Sequence, residues 1–186
     1  MLLTATRIPG VRILEPKVFE DGRGFFYESY NQRVLASHGI DITWVQDNHS
    51  RSSAGVLRGL HFQVGSSAQD KLVRVIAGAV FDVAVDLRRS SPQFGQWFGL
   101  ELSAANRKML LIPKGCAHGF STLTDDTEFL YKCSAYYDPA AERGVAWNDP
   151  QLGIDWPAAT RQTALLNRRD QQWPKLADVL SQDLFP

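Results

Sequence analysis

The chain has 186 residues, 44% hydrophobic and 22% charged, a length and composition that suit one domain with a sizeable core. Its 20 basic and 20 acidic residues cancel, so net charge draws it neither to nucleic acid nor to an anionic membrane. No apolar run is long enough to cross a bilayer and no secretory signal pattern opens the chain, which points to cytoplasmic residence.

The first expected strand is Phe25 to Tyr30, followed by a short helix over Gln32 to Ser37 that Gly39 closes. His61 lies among apolar and small residues, on a strand facing a barrel interior, with Gln63 on the same face by the two-residue period. A strand from Lys71 to Ile76 joins the next through Ala77-Gly78-Ala79, a link short enough for a hairpin. There Phe81, Val83, Val85 and Leu87 alternate with Val80, Asp82, Ala84 and Asp86, the period of a strand with one apolar face. Further strands are expected at Gln96 to Leu102, Lys108 to Ile112, Gly119 to Leu123 and Thr127 to Tyr137. Asp138 to Thr160, with three prolines, reads as ordered loop, and Leu176 to Leu180 as a second short helix. Cys116 and Cys133 have no metal or disulfide-framework spacing and read as buried, reduced thiols. Without repeats or low-complexity segments, the pattern is a single all-β domain over residues 1–186.

Two histidine segments carry the chemistry: Gly55-Val56-Leu57-Arg58-Gly59-Leu60-His61-Phe62-Gln63 and Pro113-Lys114-Gly115-Cys116-Ala117-His118-Gly119-Phe120. Their spacing resembles the paired signature of the cupin jelly rolls, which usually hold a metal. Gly55, His61 and Gly78 fit it, but Gln63 stands for the second histidine and Lys71 for the carboxylate ligand. A cation repels a divalent ion, and an amide oxygen is a poor substitute for imidazole, so the pocket looks converted to acid–base work. The resulting expectation is a cupin-type jelly-roll barrel with a few short peripheral helices.

A lone histidine is ordinarily a packed one. Arg58, Gln63 and Lys71 around His61 argue otherwise, because burying polar groups unpaired costs about 1–3 kcal/mol each. Tyr131, between Phe129 and Cys133 in strand parity, is either a packed aromatic or a phenolic acid in an apolar site. The scattered Arg23, Glu28, Gln46, Asn48 and Asp170 each read alone as surface. No Walker A loop, dinucleotide fingerprint or HExxH motif occurs, which removes the common hydrolase, dehydrogenase and metalloprotease readings.

Taken together, Arg58-Gly59-Leu60-His61-Phe62-Gln63, Lys71-Leu72-Val73-Arg74-Val75, Pro113 to Phe120, Tyr131-Lys132-Cys133 and Trp147-Asn148-Asp149-Pro150 resemble the dTDP-4-dehydrorhamnose 3,5-epimerase family, in consistent order from about Arg12 to Asp178. The resemblance implies a homodimer without metal or other cofactor, acting on dTDP-4-dehydro-6-deoxy-D-glucose. It implies His61 as general base oriented by Asp170, Tyr131 as acid on the opposite face, and Lys71 and His118 near the substrate carbonyl and sugar. Arg23, Glu28, Gln46, Asp47, Asn48, Arg58 and Glu142 match nucleotide- and phosphate-contacting positions, and Tyr137 an aromatic that stacks on thymine. Arg169 stands where the family commonly has Lys, and Cys116 where it has a bulkier residue. The chemistry suits these types: a cation beside the C4 oxygen stabilises an enolate, and inversion needs a second proton-transfer group on the other face of the ring. An epimerase of one carbon only, a metal-dependent cupin oxygenase and a non-catalytic sugar-nucleotide sensor remain as alternatives.

Overall fold

The computed structural model describes residues 1–186, and most of its regular structure is antiparallel strand. The strands are β1 (Leu2–Ala5), β2 (Arg12–Glu15), β3 (Phe19–Asp21), β4 (Gly24–Phe26), β5 (Gln46–Ser52), β6 (Leu57–Gln63) and β7 (Lys71–Ala77). They continue with β8 (Ala79–Asp86), β9 (Trp97–Ser103), β10 (Met109–Ile112), β11 (Cys116–Thr122), β12 (Thr127–Cys133) and β13 (Glu142–Gly144). Two short helices, α1 (Gln32–Ser37) and α2 (Ala158–Thr163), sit at the periphery.

A six-stranded sheet, β1-β2-β10-β7-β12-β5, faces a five-stranded one, β13-β6-β11-β8-β9, as a jelly roll requires. Their inner faces meet in a core of Val73, Val75, Leu110 and Phe129 from the first sheet and Val80, Ala84, Leu102 and Phe120 from the second. Outside the six-stranded sheet, α1 lays Leu35 on Leu72, Met109 and Leu111. The opposite outer face is covered too: Leu57, Leu60, Val83, Val85 and Ala117 pack under Leu152, Ile154, Trp156 and Leu176 of the C-terminal segment.

That second cover corrects the reading of β8. Its odd residues are apolar because they meet the C-terminal segment, while its even residues, Asp82 included, point into the barrel. The expected hairpin at Gly78 is likewise absent. β7 and β8 lie in different sheets, and Gly78, at φ +73°, turns the corner where a Cβ would sit 2.5 Å from Thr124 and Thr127 Oγ1. The strand expected to reach Tyr137 stops at Cys133. There Ser134 turns onto Asp70, its Oγ donating to the carboxylate at 2.9 Å and its N–H to the Asp70 carbonyl at 3.0 Å. The Asp138–Thr160 stretch is not all loop, since β13 adds an edge strand to β6 and α2 begins within it. The helix expected over Leu176 to Leu180 is one 3₁₀ turn, Leu176–Asp178.

Candidate active site

Between the sheets lies a cavity of about 350 Å³, and its walls follow from strand parity and one defect. On β7 and β12 the inward positions are odd, so Lys71 and Tyr131 project from the six-stranded sheet beside Val73 and Phe129. On the facing sheet, His118 of β11 is register partner of His61 on β6. Arg58, three residues from His61, would face the other way on a regular strand. The next β11 inward position, Phe120, pairs with Arg58, so two residues of β6, Gly59 and Leu60, oppose the single Gly119 of β11: a β-bulge. It turns both Arg58 and His61 inward and both Leu57 and Leu60 outward. Gly59 makes it possible, at φ +134° and so close to β11 that a Cβ would come 2.5 Å from Gly119 Cα.

The Asp170 carboxylate reaches this bulge from far along the chain. Its Oδ1 lies 2.6 Å from His61 Nε2, and its Oδ2 accepts from Gly59 N–H at 3.3 Å. Asn167 Oδ1 accepts from the Asp170 N–H at 2.8 Å, which fixes the loop. Burial alone would raise the Asp170 carboxyl; the His61 hydrogen bond and charge, the Gly59 N–H and Arg169 together outweigh it and hold it below the ordinary range. A carboxylate on Nε2 assigns the proton there and leaves the Nδ1 lone pair of His61 free. Trp173 packs edge-on against the ring, centroids 6.0 Å apart, over Gly144, where any Cβ would collide with the indole.

A second pair stands behind the first. His118 Nε2 lies 3.0 Å from Asp82 Oδ2, with the ring stacked on Phe129. Burial pushes His118 below its ordinary pKa, Asp82 opposes this, and Lys71 and His61 reinforce it, so the ring is neutral at pH 7. Burial also lowers the Lys71 ammonium, against the pull of Cys133, Asp82 and Glu142. The Tyr131 phenol is pushed up to about 12 by burial, with Arg58 the main opposing influence. Arg58 itself is steadied by Ser52 Oγ, 3.0 Å from Nη2.

At the mouth, Tyr137 Oη donates to Glu142 at 3.0 Å, and Arg169 pairs with the same carboxylate. Gln46 and Asn48 line the cavity from the inward face of β5. Asp47 does not: one position off in parity, it faces outward and binds Lys132 at 3.0 Å. Arg23 and Glu28 are also outside this chain's cavity. Arg23 sits at the tip of the exposed β3–β4 hairpin on Asp21, and Glu28 accepts from Asn31, the residue that caps α1. Sequence reasoning missed Asp82, which looked like the polar side of an alternating strand, and Trp173, which no periodicity marks. No three His, Cys, Asp or Glu side chains converge to hold a metal ion.

Fold and cavity define a jelly-roll epimerase, an enzyme that moves protons at carbon. Comparison gives the particular family. Residues 5–178 match the dTDP-4-dehydrorhamnose 3,5-epimerase family, and the chain belongs to it. It is 58% identical to the dTDP-4-dehydrorhamnose 3,5-epimerase of Escherichia coli (strain K12), covering 97% of each chain. The Pseudomonas aeruginosa enzyme of the same name is 53% identical over 100% of both. Among solved structures, dTDP-6-deoxy-D-glucose-3,5-epimerase from Legionella pneumophila Philadelphia 1, in complex with dTDP-4-keto-L-rhamnose, superposes with a TM-score of 0.94 at 46% identity, over 99% of this chain and 97% of that one.

Proposed function

We propose that this chain, as one domain over residues 1–186, inverts C3 and C5 of dTDP-4-dehydro-6-deoxy-D-glucose, without metal or other cofactor, to give dTDP-4-dehydro-L-rhamnose for dTDP-L-rhamnose biosynthesis. The observation that carries this reading is the placement of His61 and Tyr131 on facing sheets across one cavity, with Lys71 lining it from the strand next to that of Tyr131. A sugar ring held between the sheets meets a base on one face and an acid on the other.

At each centre, His61 Nδ1 takes the proton from the carbon next to the ketone. The C–H electrons form the carbon–carbon double bond, and the C4 oxygen becomes an enolate beside the Lys71 ammonium. A preorganised contact of this kind contributes about 2.7–4 kcal/mol. Tyr131, protonated across the neutral range, gives its proton to the opposite face of the same carbon, and the ketone reforms. The paired carboxylate of Asp170 stabilises the imidazolium. His61 then releases a proton to solvent and Tyr131 regains one, so each inverted carbon carries a solvent hydrogen. Arg58 supplies a planar cation for the diphosphate, with Glu142, Asn48 and Arg169 lining the nucleotide end.

In deuterated water the product gains deuterium at both C3 and C5. Deuterium at neither carbon overturns the reading, and deuterium at one makes this a single-centre epimerase.

The enzyme acts as a cytoplasmic homodimer in this reading. Support comes from the β3–β4 hairpin, whose Phe19, Phe25 and Phe26 are 55%, 60% and 69% exposed, a patch suited to a second copy. That contact carries Arg23 and Glu28 toward the partner's cavity. Phe26→Asp yields a monomer by light scattering; an unchanged mass overturns this assembly. No helix is long and apolar enough to cross a membrane, and both cysteines are free and buried.

A further inference from the structure

Gln63 stands where a cupin metal site has its second histidine, and the proton transfers above leave it without a task. Its side chain is nevertheless fully engaged. At 4% exposure, Gln63 donates through Nε2 to the Ser67 carbonyl at 2.7 Å and the Tyr136 carbonyl at 3.1 Å, and its Oε1 accepts from Asp138 N–H at 2.8 Å. Turning the amide over would set its oxygen against two carbonyls, which fixes its orientation. The same stretch of backbone is held from the other sheet. Tyr137 N–H donates to Gln46 Oε1 at 2.9 Å, and Gln46 Nε2 donates to Asn48 at 3.0 Å.

The Tyr136 carbonyl and the Tyr137 N–H belong to one peptide group. Two glutamines, from β6 in one sheet and β5 in the other, therefore pin that group along both edges. Outside Cys133 the chain has left the sheet, and Tyr137 is half-exposed at the cavity mouth. A tyrosine on a free loop would lose rotamer and backbone freedom on meeting a ligand, which weakens binding.

We propose that Gln63 and Gln46 form a clamp across the open side of the barrel, and that Gln63 is a positioning residue that presets the Tyr137 ring for a planar nucleobase. The proposal rests on the reading that Tyr137 meets the base of the substrate. It also gives the substitution at position 63 a physical reason. A neutral imidazole offers one donor and one acceptor and a carboxylate only acceptors, whereas this site uses two donors and one acceptor of a single planar group.

The test is a double-mutant cycle on dTDP affinity, measured by calorimetry with the whole chain, using Gln63→Ala, Tyr137→Ala and the pair. Gln63→Ala weakens dTDP binding about tenfold, or about 1.4 kcal/mol. The pair binds no more weakly than Tyr137→Ala alone, because the clamp acts only through that ring. Inorganic pyrophosphate, which has no base, binds Gln63→Ala as it binds the parent. Additive losses in the cycle overturn the clamp, as does an equal loss of pyrophosphate affinity, the mark of a generally damaged pocket. A Tyr137→Ala variant with undiminished dTDP affinity overturns the base-stacking reading itself, and the clamp with it. If Gln63→Ala does not fold, Gln63→Met serves in the same cycle: it keeps the side-chain length, removes both donors without adding charge and carries the same expected outcomes.

Discussion

Two histidine–aspartate pairs stand on neighbouring strands, His61 and His118 being direct register partners, yet they are built for different work. In the first pair the histidine side chain is 20% exposed to the cavity; in the second it is 7% exposed and stacked on Phe129. The first aspartate comes from a loop 109 residues distant in sequence, the second from the adjacent strand β8. Burial, reinforced by Lys71 and opposed by Asp82, pushes His118 toward its neutral form. In the proposed mechanism the same two residue types thus give a base when one nitrogen faces a cavity, and a fixed polar wall when both sides are sealed. Environment, not composition, assigns the role.

The comparison can be broken most directly by removing each imidazole. His61→Ala lowers kcat by about 10²–10⁴, the usual worth of a general base, whereas His118→Ala lowers it by about tenfold or less. Equal losses in stopped-assay kinetics would erase the distinction. Exchanging the carboxylates crosses the two effects. Asp170→Asn loses kcat by about 10²–10⁴ through the wrong tautomer of His61. Asp82→Ala mainly loses stability, about 1–3 kcal/mol in denaturant titration, because it strands the buried His118 nitrogen. Tyr131→Phe sharpens the picture on the opposite wall. It keeps solvent deuterium exchange at C3 and C5, driven by His61, while epimeric product falls at least tenfold, both read by proton NMR.

The smallest effect is in the pH profile. Lys71 sits below its ordinary value through burial while Tyr131 is raised to about 12, so the alkaline fall of kcat belongs to Lys71. Activity declines as the ammonium deprotonates, at a pH below the 10.5 of a free lysine. Stability moves the other way. A depressed lysine is favoured in its neutral form on folding, so its contribution is fully present above the unfolded value and lost as pH falls through the folded one. Lys71→Arg moves the alkaline limb upward; an unmoved limb assigns it elsewhere.

How much of this was readable beforehand depended on which face of a strand meets what. β9, β10 and β12 show themselves because one or both faces are apolar. β5, Gln-Asp-Asn-His-Ser-Arg-Ser, does not, since its inward residues line a polar cavity and erase the apolar period. β8 showed its period but not its orientation, because the hidden C-terminal cover made the outward face apolar. At the site, His61, Gln63 and Lys71 were marked by spacing. The convergence of Arg58 with His61 needed a bulge that spacing of three alone does not declare. Asp170 and Tyr137 followed from family resemblance, for no local pattern joins residues so far apart. Asp47, Arg23 and Glu28 were grouped with the nucleotide-facing residues, but parity, a hairpin tip and a helix cap take them out of this chain's cavity.

The C-terminal cover has one more consequence, in the order of synthesis. All thirteen strands have been made before Asp170 leaves the ribosome. A nascent chain can therefore close its barrel around His61 while the histidine still lacks its partner. The apolar outer face of the five-stranded sheet also stays bare until Leu152, Trp156 and Leu176 arrive. The same late segment thus covers the apolar sheet and brings the carboxylate to His61, so a chain cut short before it leaves that sheet face bare and the histidine unpaired.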